Sequence, residues 1–260
     1  MAVTVVHFNP KRRAPGPFAL LRPRRELGNF GDLLGPLLVE RVAAEFGLSQ
    51  APERRRLVSI GSILGLTEPG DTVWGSGVNG KSMNLGAAPD LDVRSVRGPE
   101  TRRMLTAAGT SVPEVYGDPA LLWSRYWNRD FYLRDRSEPL NDYVVLPNYN
   151  DLSLYSDSRV VSPIGDPHHV IAEIARSSFV CGSSLHGIVL AESLGIPARL
   201  ITSQAEHSLK YDDYYFGSGR SSYAPASSVE EALAMGGEAP PEYDVEALLQ
   251  AFPRDLYQEP

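Results

Sequence analysis

Phe179-Val180-Cys181-Gly182-Ser183-Ser184-Leu185-His186-Gly187 is the stretch on which the reading of the fold turns. An apolar run ends in a turn of small residues. A helical pattern follows from Leu185 to Leu194, where Gly195 and Pro197 stop it. Arg199 to Thr202 is the next strand candidate. Strand, turn, helix and strand in this order make a βαβ unit, whose two strands run parallel.

The same alternation extends in both directions. Upstream, Tyr143 to Leu146, Arg159 to Ser162 and Ser178 to Cys181 read as strands. Asp166 and Pro167 mark the start of a helix that ends near Arg176. Nearer the start of the chain, strands are predicted at Val3 to Phe8, Leu57 to Ile60, Thr72 to Trp74, Val93 to Val96 and Val112 to Tyr116. One helix is predicted from Gly31 to Phe46, on the spacing of Leu34, Leu37, Leu38, Val42 and Phe46. Another starts at Pro99 and runs to about Ala108. The basic, Pro-rich segment Lys11 to Glu26 reads as a loop. Residues from Ser124 to Asn141 are charged and aromatic with no clear period. A boundary placed there divides the chain into 1–135 and 136–260. Two short helices, Val229 to Met235 and Val245 to Phe252, form a tail expected to pack back on the first part. The fold class is therefore α/β with parallel sheet.

Of the 260 residues, 42% are hydrophobic and 22% charged, ordinary for a globular protein with a sizeable core. The formal net charge of -7 argues against a general nucleic-acid binder but is compatible with a local basic pocket for a small anion. Cys181 is the one cysteine, so no intrachain disulfide forms. The N-terminus reads as a strand rather than a signal peptide, and a cytoplasmic setting is expected.

Several constellations can carry chemistry. The first backbone N–H groups of the helix after Ser184 have no intrahelical partner and suit a phosphate or carboxylate. Ser183 and Ser184 add hydroxyls, and His186 falls in the first turn. A Ser-capped helix with a structural histidine fits the same residues equally well. Arg97 follows a strand and precedes Gly98-Pro99, where a guanidinium can hold a carboxylate or phosphate bidentately; a surface arginine is the plain alternative. Within Gly28-Asn29-Phe30-Gly31-Asp32, Asn29 or Asp32 can cap the following helix. Both can instead hydrogen-bond a sugar, with Asp32 as a general acid or base.

Gly75 to Ser82 fits the phosphate-loop pattern G-x-x-x-x-G-K-[ST]. That motif needs a helix at once, and Met83-Asn84-Leu85-Gly86-Ala87-Ala88-Pro89 leaves no room for one. His168-His169 has no accompanying ligand set, so no metal is expected. Lys210-Tyr211-Asp212-Asp213-Tyr214-Tyr215 offers a cation and rings to a sugar site, or is an amphipathic surface segment.

Taken in order, these motifs resemble the polysaccharide pyruvyl transferase family. The resemblance rests on Gly28 to Asp32, Trp74-Gly75-Ser76-Gly77, Ser95 to Glu100, Gly117-Asp118-Pro119-Ala120-Leu121-Leu122, and Ser183 to Gly187 continuing through Ala191-Glu192 to Gly195-Ile196-Pro197. It implies a GT-B-like fold, two Rossmann-like lobes around a cleft, with 1–135 on the acceptor side and 136–260 on the donor side. It also implies phosphoenolpyruvate as donor substrate, no other cofactor, and a saccharide acceptor, lipid-linked in some systems. Peripheral association with the inner face of the plasma membrane would accompany such an acceptor. On this likeness, Arg97, Ser183, Ser184, His186, Gly187 and Lys210 bind the donor; Asn29, Asp32 and Asn79 bind the acceptor; His186 and Asp32 are catalytic. Some family members carry Arg-Leu-His-Gly at the last motif. Ser184 stands in place of that arginine, and Lys210 is expected to supply the missing cation. The alternatives are a nucleotide-sugar glycosyltransferase on the same kind of fold, a nucleotide-binding module using Gly75 to Ser82, and an interaction protein with a dead site.

Overall fold

The computed structural model describes residues 3–13, 23–50, 54–81, 85, 90–134, 141–156 and 158–258. The chain opens with β1 (Thr4–Val6), followed by β2 (Lys11–Arg13) and β3 (Arg24–Glu26). The last two pair as an antiparallel ribbon, with Arg12 opposite Arg25. The loop expected over these residues is therefore corrected at its two ends. Both strands are exposed, so they show no apolar alternation from which a strand can be read. Asn9 closes the base of the ribbon, donating to Glu26 Oε2 (3.1 Å) and accepting from the Gly28 N–H (3.0 Å).

Helix α1 (Phe30–Glu45) buries Leu34, Leu38 and Val42, as its spacing predicts. It leads to β4 (Arg56–Val58), β5 (Thr72–Trp74) and β6 (Asp92–Ser95). These strands form one parallel sheet in the order β1-β4-β5-β6. Helix α2 (Pro99–Ala107) follows with Pro99 in its first turn. Beyond it, Val112 to Tyr116 contributes a single parallel bridge, Val96 to Tyr116, rather than the strand expected. The aperiodic segment contains two single-turn helices, α3 (Trp123–Tyr126) and α4 (Arg129–Tyr132), too short to show a period.

The second sheet is built from β7 (Val144–Val145), β8 (Val180–Gly182) and β9 (Ala198–Leu200), all parallel and in that order. Arg159 to Ser162 adds a bridge from Val160 to Val145, not a full strand. Helix α5 (Pro167–Ala175) is capped by the Asp166 carboxylate, which accepts from the His169 N–H. Helix α6 (Leu185–Ser193) is the helix of the βαβ unit read from the sequence. Helix α7 (Leu209–Gly217) differs from the exposed alternative considered for it, since Lys210, Tyr211, Asp213, Tyr214 and Tyr215 are all buried. The chain ends with α8 (Val229–Met235) and α9 (Val245–Gln250). The indole of Trp74, on β5, donates to the Leu248 carbonyl of α9 (2.8 Å).

A single apolar cluster joins residues of both sheets' helices. Leu34, Leu38 and Val42 of α1 share it with Val170, Ile171 and Ile174 of α5 and Ile188 to Ala191 of α6. The start of α1 is tied to the same side by backbone bonds, from the Phe30 N–H to Pro163 O (2.8 Å) and from the Gly165 N–H to Gly28 O (2.9 Å).

Candidate functional site

Loops that follow the strands of both sheets converge on one cavity of about 450 Å³. Phe8 follows β1, Ser62 follows β4, and Asn79 and Lys81 follow β5. From the other sheet, Asn148 follows β7, His186 follows β8 and Glu206 follows β9. Carboxyl ends of parallel strands are where α/β sheets place ligands, because the connecting loops and helix N-termini gather there.

Helix α6 opens onto this cavity. Ser184 is its N-cap, and its Oγ accepts from the Gly187 N–H (3.3 Å). Ser184, Leu185 and His186 line the cavity. The helix is therefore Ser-capped, as one of the two readings has it, and its first turn faces open space. Ser183 lies behind the wall, donating to Asp151 Oδ2 (2.7 Å) and accepting from the Asn148 N–H (3.0 Å). Gly187 is buried and does not line the cavity.

Asn29 occupies the N-cap position of α1 but makes no cap bond with its side chain. Its amide instead donates to Asp32 Oδ2 (2.7 Å), and both side chains line the cavity. Burial raises the Asp32 carboxyl to about 6, against the pull of the Asn29 bond and of Lys210. A proton exchanges there near neutral pH, as a general acid or base requires.

His186 packs against Gly31 of the same motif. A Cβ on Gly31 would lie 2.4 Å from His186 Nδ1, so the absence of a side chain at 31 makes room for the imidazole. The Gly31→Ala substitution isolates this contact. Alanine is favoured over glycine in a helix interior by about 1 kcal/mol, which offsets part of the clash. Melting temperature is therefore expected to change little while turnover falls, because the ring is pushed from its place. Parallel measurements of Tm and kcat/KM check this; unchanged turnover contradicts it. Burial, with Lys210 and Arg97 nearby, lowers the His186 pKa to about 3, so the ring is neutral here. Its Nε2 lies 3.8 Å from Asp118 Oδ2.

Lys210 and Lys81 enter the cavity from α7 and from the loop after β5. Glu206 holds both, through Oε2 to Lys210 (3.1 Å) and Oε1 to Lys81 (2.6 Å). Asn150 also donates to Glu206 (3.0 Å). Burial pushes Glu206 up, but the lysines and Asn150 outweigh it and hold the carboxylate below its usual range. Burial lowers the Lys210 ammonium against the attraction of Glu206. Arg12 and Tyr149 complete the rim, the guanidinium standing 5.6 Å from the ring centroid.

Arg97 does not line the cavity. Its side chain is fully buried, and its donors are taken up within the protein: by Asp213 (3.0 Å), by Ser62 Oγ (2.6 Å) and by Val78 O (2.7 Å). Ser62 lies between it and the cavity, so Arg97 meets the site through one hydroxyl. Gly77 makes this possible, since a Cβ there would stand 2.4 Å from the guanidinium carbon.

Of the residues singled out from sequence, Asn29, Asp32, Asn79, Ser184, His186 and Lys210 come together at the cavity wall. Arg97, Ser183 and Gly187 stand behind it. Glu206, Asn148, Tyr149, Asn150, Arg12 and Ser62 were not legible as site residues, and Lys81 was read only as part of the phosphate-loop match. Lys81 sits in the phosphate-loop match, where β5 precedes Gly75 but no helix begins among the described residues through Lys81. Residues 82–84 and 86–89, on which that argument also turned, lie outside the described residues. His168 accepts or donates to the Tyr132 hydroxyl (2.9 Å) within an aromatic cluster, away from the cavity. Cys181 is buried on β8.

This ordering of motifs around one cavity can be set against known proteins. Residues 87–204 match the family described as polysaccharide pyruvyl transferase. Over these residues the chain is similar to that family. The matched span holds Arg97, Asp118 and the Ser183 to Gly187 turn; Gly28 to Asp32, Trp74 to Gly77 and Lys210 fall outside it. The chain is 28% identical over 234 residues to the succinoglycan biosynthesis protein ExoV of Rhizobium meliloti, covering 80% of this chain and 68% of that protein. It is 26% identical over 215 residues to uncharacterized protein L143 of Acanthamoeba polyphaga mimivirus, covering 74% and 71%. No solved structure matches. Among the described residues, no helix is long and apolar enough to cross a membrane, and no group of three or more His, Cys, Asp or Glu side chains is placed to hold a metal ion.

Proposed function

We propose that this chain transfers the pyruvyl group of phosphoenolpyruvate to two hydroxyls of a saccharide, forming a ketal and releasing phosphate. The observation that carries the reading is the meeting, in one cavity, of a helix N-terminus, two lysines, a histidine and a carboxyl that titrates near neutral pH. The donor is a small, highly charged anion. The α6 N-terminus, Lys210 and Lys81 offer it donors and positive charge where Ser184 replaces the arginine of some relatives. Arg97 adds its charge from behind Ser62. We also read the two sheets as two Rossmann-like lobes of a GT-B-like arrangement, 1–135 facing the acceptor and 136–260 the donor. The facing carboxyl ends of the two sheets support this. A saccharide carried on a lipid, met at the inner face of a membrane, is the acceptor we favour.

In this scheme His186 gives a proton to the methylene carbon of the donor. The π electron pair forms the new C–H bond, and positive charge develops at the neighbouring carbon. A saccharide hydroxyl attacks that carbon and passes its proton to Asp32, with Asn29 and Asn79 holding the sugar. The second hydroxyl then attacks the same carbon as the C–O bond to phosphate breaks; its proton returns to the His186 imidazole, and the electron pair of the broken bond leaves with phosphate. The anionic donor counters Lys210 and Arg97, which otherwise disfavour the charged imidazole.

A base at Asp32 works when ionised, so transfer is expected to rise with pH through about 6, where this carboxyl loses its proton. Asp32→Asn removes that part of the profile and slows transfer; an unchanged acidic limb contradicts the assignment. The stability change has the opposite sign. The folded pKa of Asp32 is raised, so its contribution is present below about 3.8 and is lost as pH passes about 6. Asp32→Asn is therefore expected to melt higher than the unsubstituted chain at pH 8, which a thermal scan measures directly.

A further inference from the structure

Two buried polar atoms face each other beside the cavity with no hydrogen bond to any described residue: His186 Nε2 and Asp118 Oδ2, 3.8 Å apart. Leaving both desolvated and unpaired is costly, and a catalytic role is one reason a native fold keeps such a pair. The carboxylate is not adrift. Its other oxygen accepts from the Ala120 N–H (3.0 Å), capping the 3-10 turn Pro119–Leu122, and the residue is fully buried. The imidazole is fixed as well, by its position in the first turn of α6 and by its fit against Gly31. A gap of 3.8 Å is too long for a hydrogen bond, but catalytic hydrogen bonds commonly tighten when substrate binds.

We propose that Asp118 is the positioning residue of His186: its carboxylate accepts from the Nε2–H, fixes the tautomer, and leaves Nδ1, on the Gly31 side, as the nitrogen that carries the transferred proton. The inference rests on the role given to His186 above. The charges around the ring make the case. Lys210 from α7 and Arg97 beyond β6 both disfavour imidazolium, and Asp32 stands on the cavity side. Asp118 is the carboxylate at the other edge of the ring and offsets the two cations when the ring is protonated. When Nδ1–H gives its proton to the donor carbon, the N–H electron pair stays on Nδ1. The ring is then neutral with its Nε2–H still on Asp118, which takes up no proton in the step; burial raises this carboxyl to about 6, so it serves as the acceptor above that pH. The sequence conceals this role, because Gly117-Asp118-Pro119 has the form of an ordinary turn and does build one with the other carboxylate oxygen.

The test is Asp118→Asn in the full chain. The amide keeps the size and its oxygen keeps the cap to Ala120, but its nitrogen donates to Nε2 and forces the neutral ring into the Nδ1–H form. With phosphoenolpyruvate and a soluble saccharide acceptor, kcat is expected to fall about 10²–10⁴-fold, with KM for phosphoenolpyruvate little changed. Nitrogen-15 chemical shifts of the His186 ring are expected to report the Nε2–H tautomer in the unsubstituted chain and Nδ1–H in the variant. In a His186→Gln background, Asp118→Asn is expected to add no further loss. A kcat close to that of the unsubstituted chain, an Nδ1–H ring before substitution, or independent multiplying losses would each overturn the proposal. Should the variant not fold, the tautomer of the unsubstituted chain decides alone. That measurement does not use turnover, so absence of any pyruvyl transfer would sink the functional reading and leave this pairing to be judged by the ring itself.

Discussion

Replacing His186 with alanine is expected to lower pyruvyl transfer by about 10²–10⁴-fold, the usual contribution of a positioned acid or base, while the chain stays folded. The side chain lies at the mouth of α6, against Gly31 and 3.8 Å from Asp118. On the proposed mechanism its removal takes away the proton donor and one contact to the phosphoenolpyruvate anion, but none of the backbone bonds that anchor α6. Phosphate release and product mass, measured beside circular dichroism, separate the two effects. Transfer at the original rate in a folded His186→Ala chain would remove the imidazole from the mechanism.

Asp213→Ala is expected to cause the largest loss of stability, about 3–5 kcal/mol, because it leaves the buried Arg97 charge without its partner. For a chain of this size that corresponds to a fall in Tm of roughly 6–20 °C, at about 2–4 °C per kcal/mol. Both side chains are fully buried, with the ion pair at 2.9 Å. Asp213 also accepts from the Thr101 N–H (2.8 Å) and hydroxyl (2.7 Å), so one carboxylate joins α7, α2 and the end of β6. Arg97→Lys is expected to lose much of the same stability, since one ammonium cannot reach Asp213, Ser62 and Val78 in the geometry of a guanidinium fork. A Tm within a degree or two of the original for Asp213→Ala would contradict the account of Arg97 as a buried, protein-bound charge.

The placement of Arg97 marks the limit of what the sequence discloses. A strand end, an arginine and a glycine-proline helix start do locate it at the carboxyl edge of the first sheet. Its partner, however, is 116 residues away on α7, and no local pattern announces a buried Asp213. The βαβ core around β8 and α6 was legible because apolar runs and glycine stops are local signals. So was the capping of α6 by Ser184. Asn29 misled as a cap candidate, because its side chain turns to Asp32 instead of the backbone, a choice made by the cavity and not by the helix. Lys81, Glu206 and Asn150 assemble from three separate loops, and such a cluster exists only once both sheets have brought those loops together. The ribbon β2–β3 carries no hydrophobic signature and was hidden for that reason.

The most direct measurement offers the purified chain a panel of saccharide acceptors with phosphoenolpyruvate, and in parallel with nucleotide sugars, following phosphate release and acceptor mass. The expected result is phosphate release that requires an acceptor, accompanied by the mass gain of a pyruvate ketal, with the nucleotide sugars unused. Glycosyl transfer from a nucleotide sugar, with phosphoenolpyruvate untouched across the panel, would contradict the account.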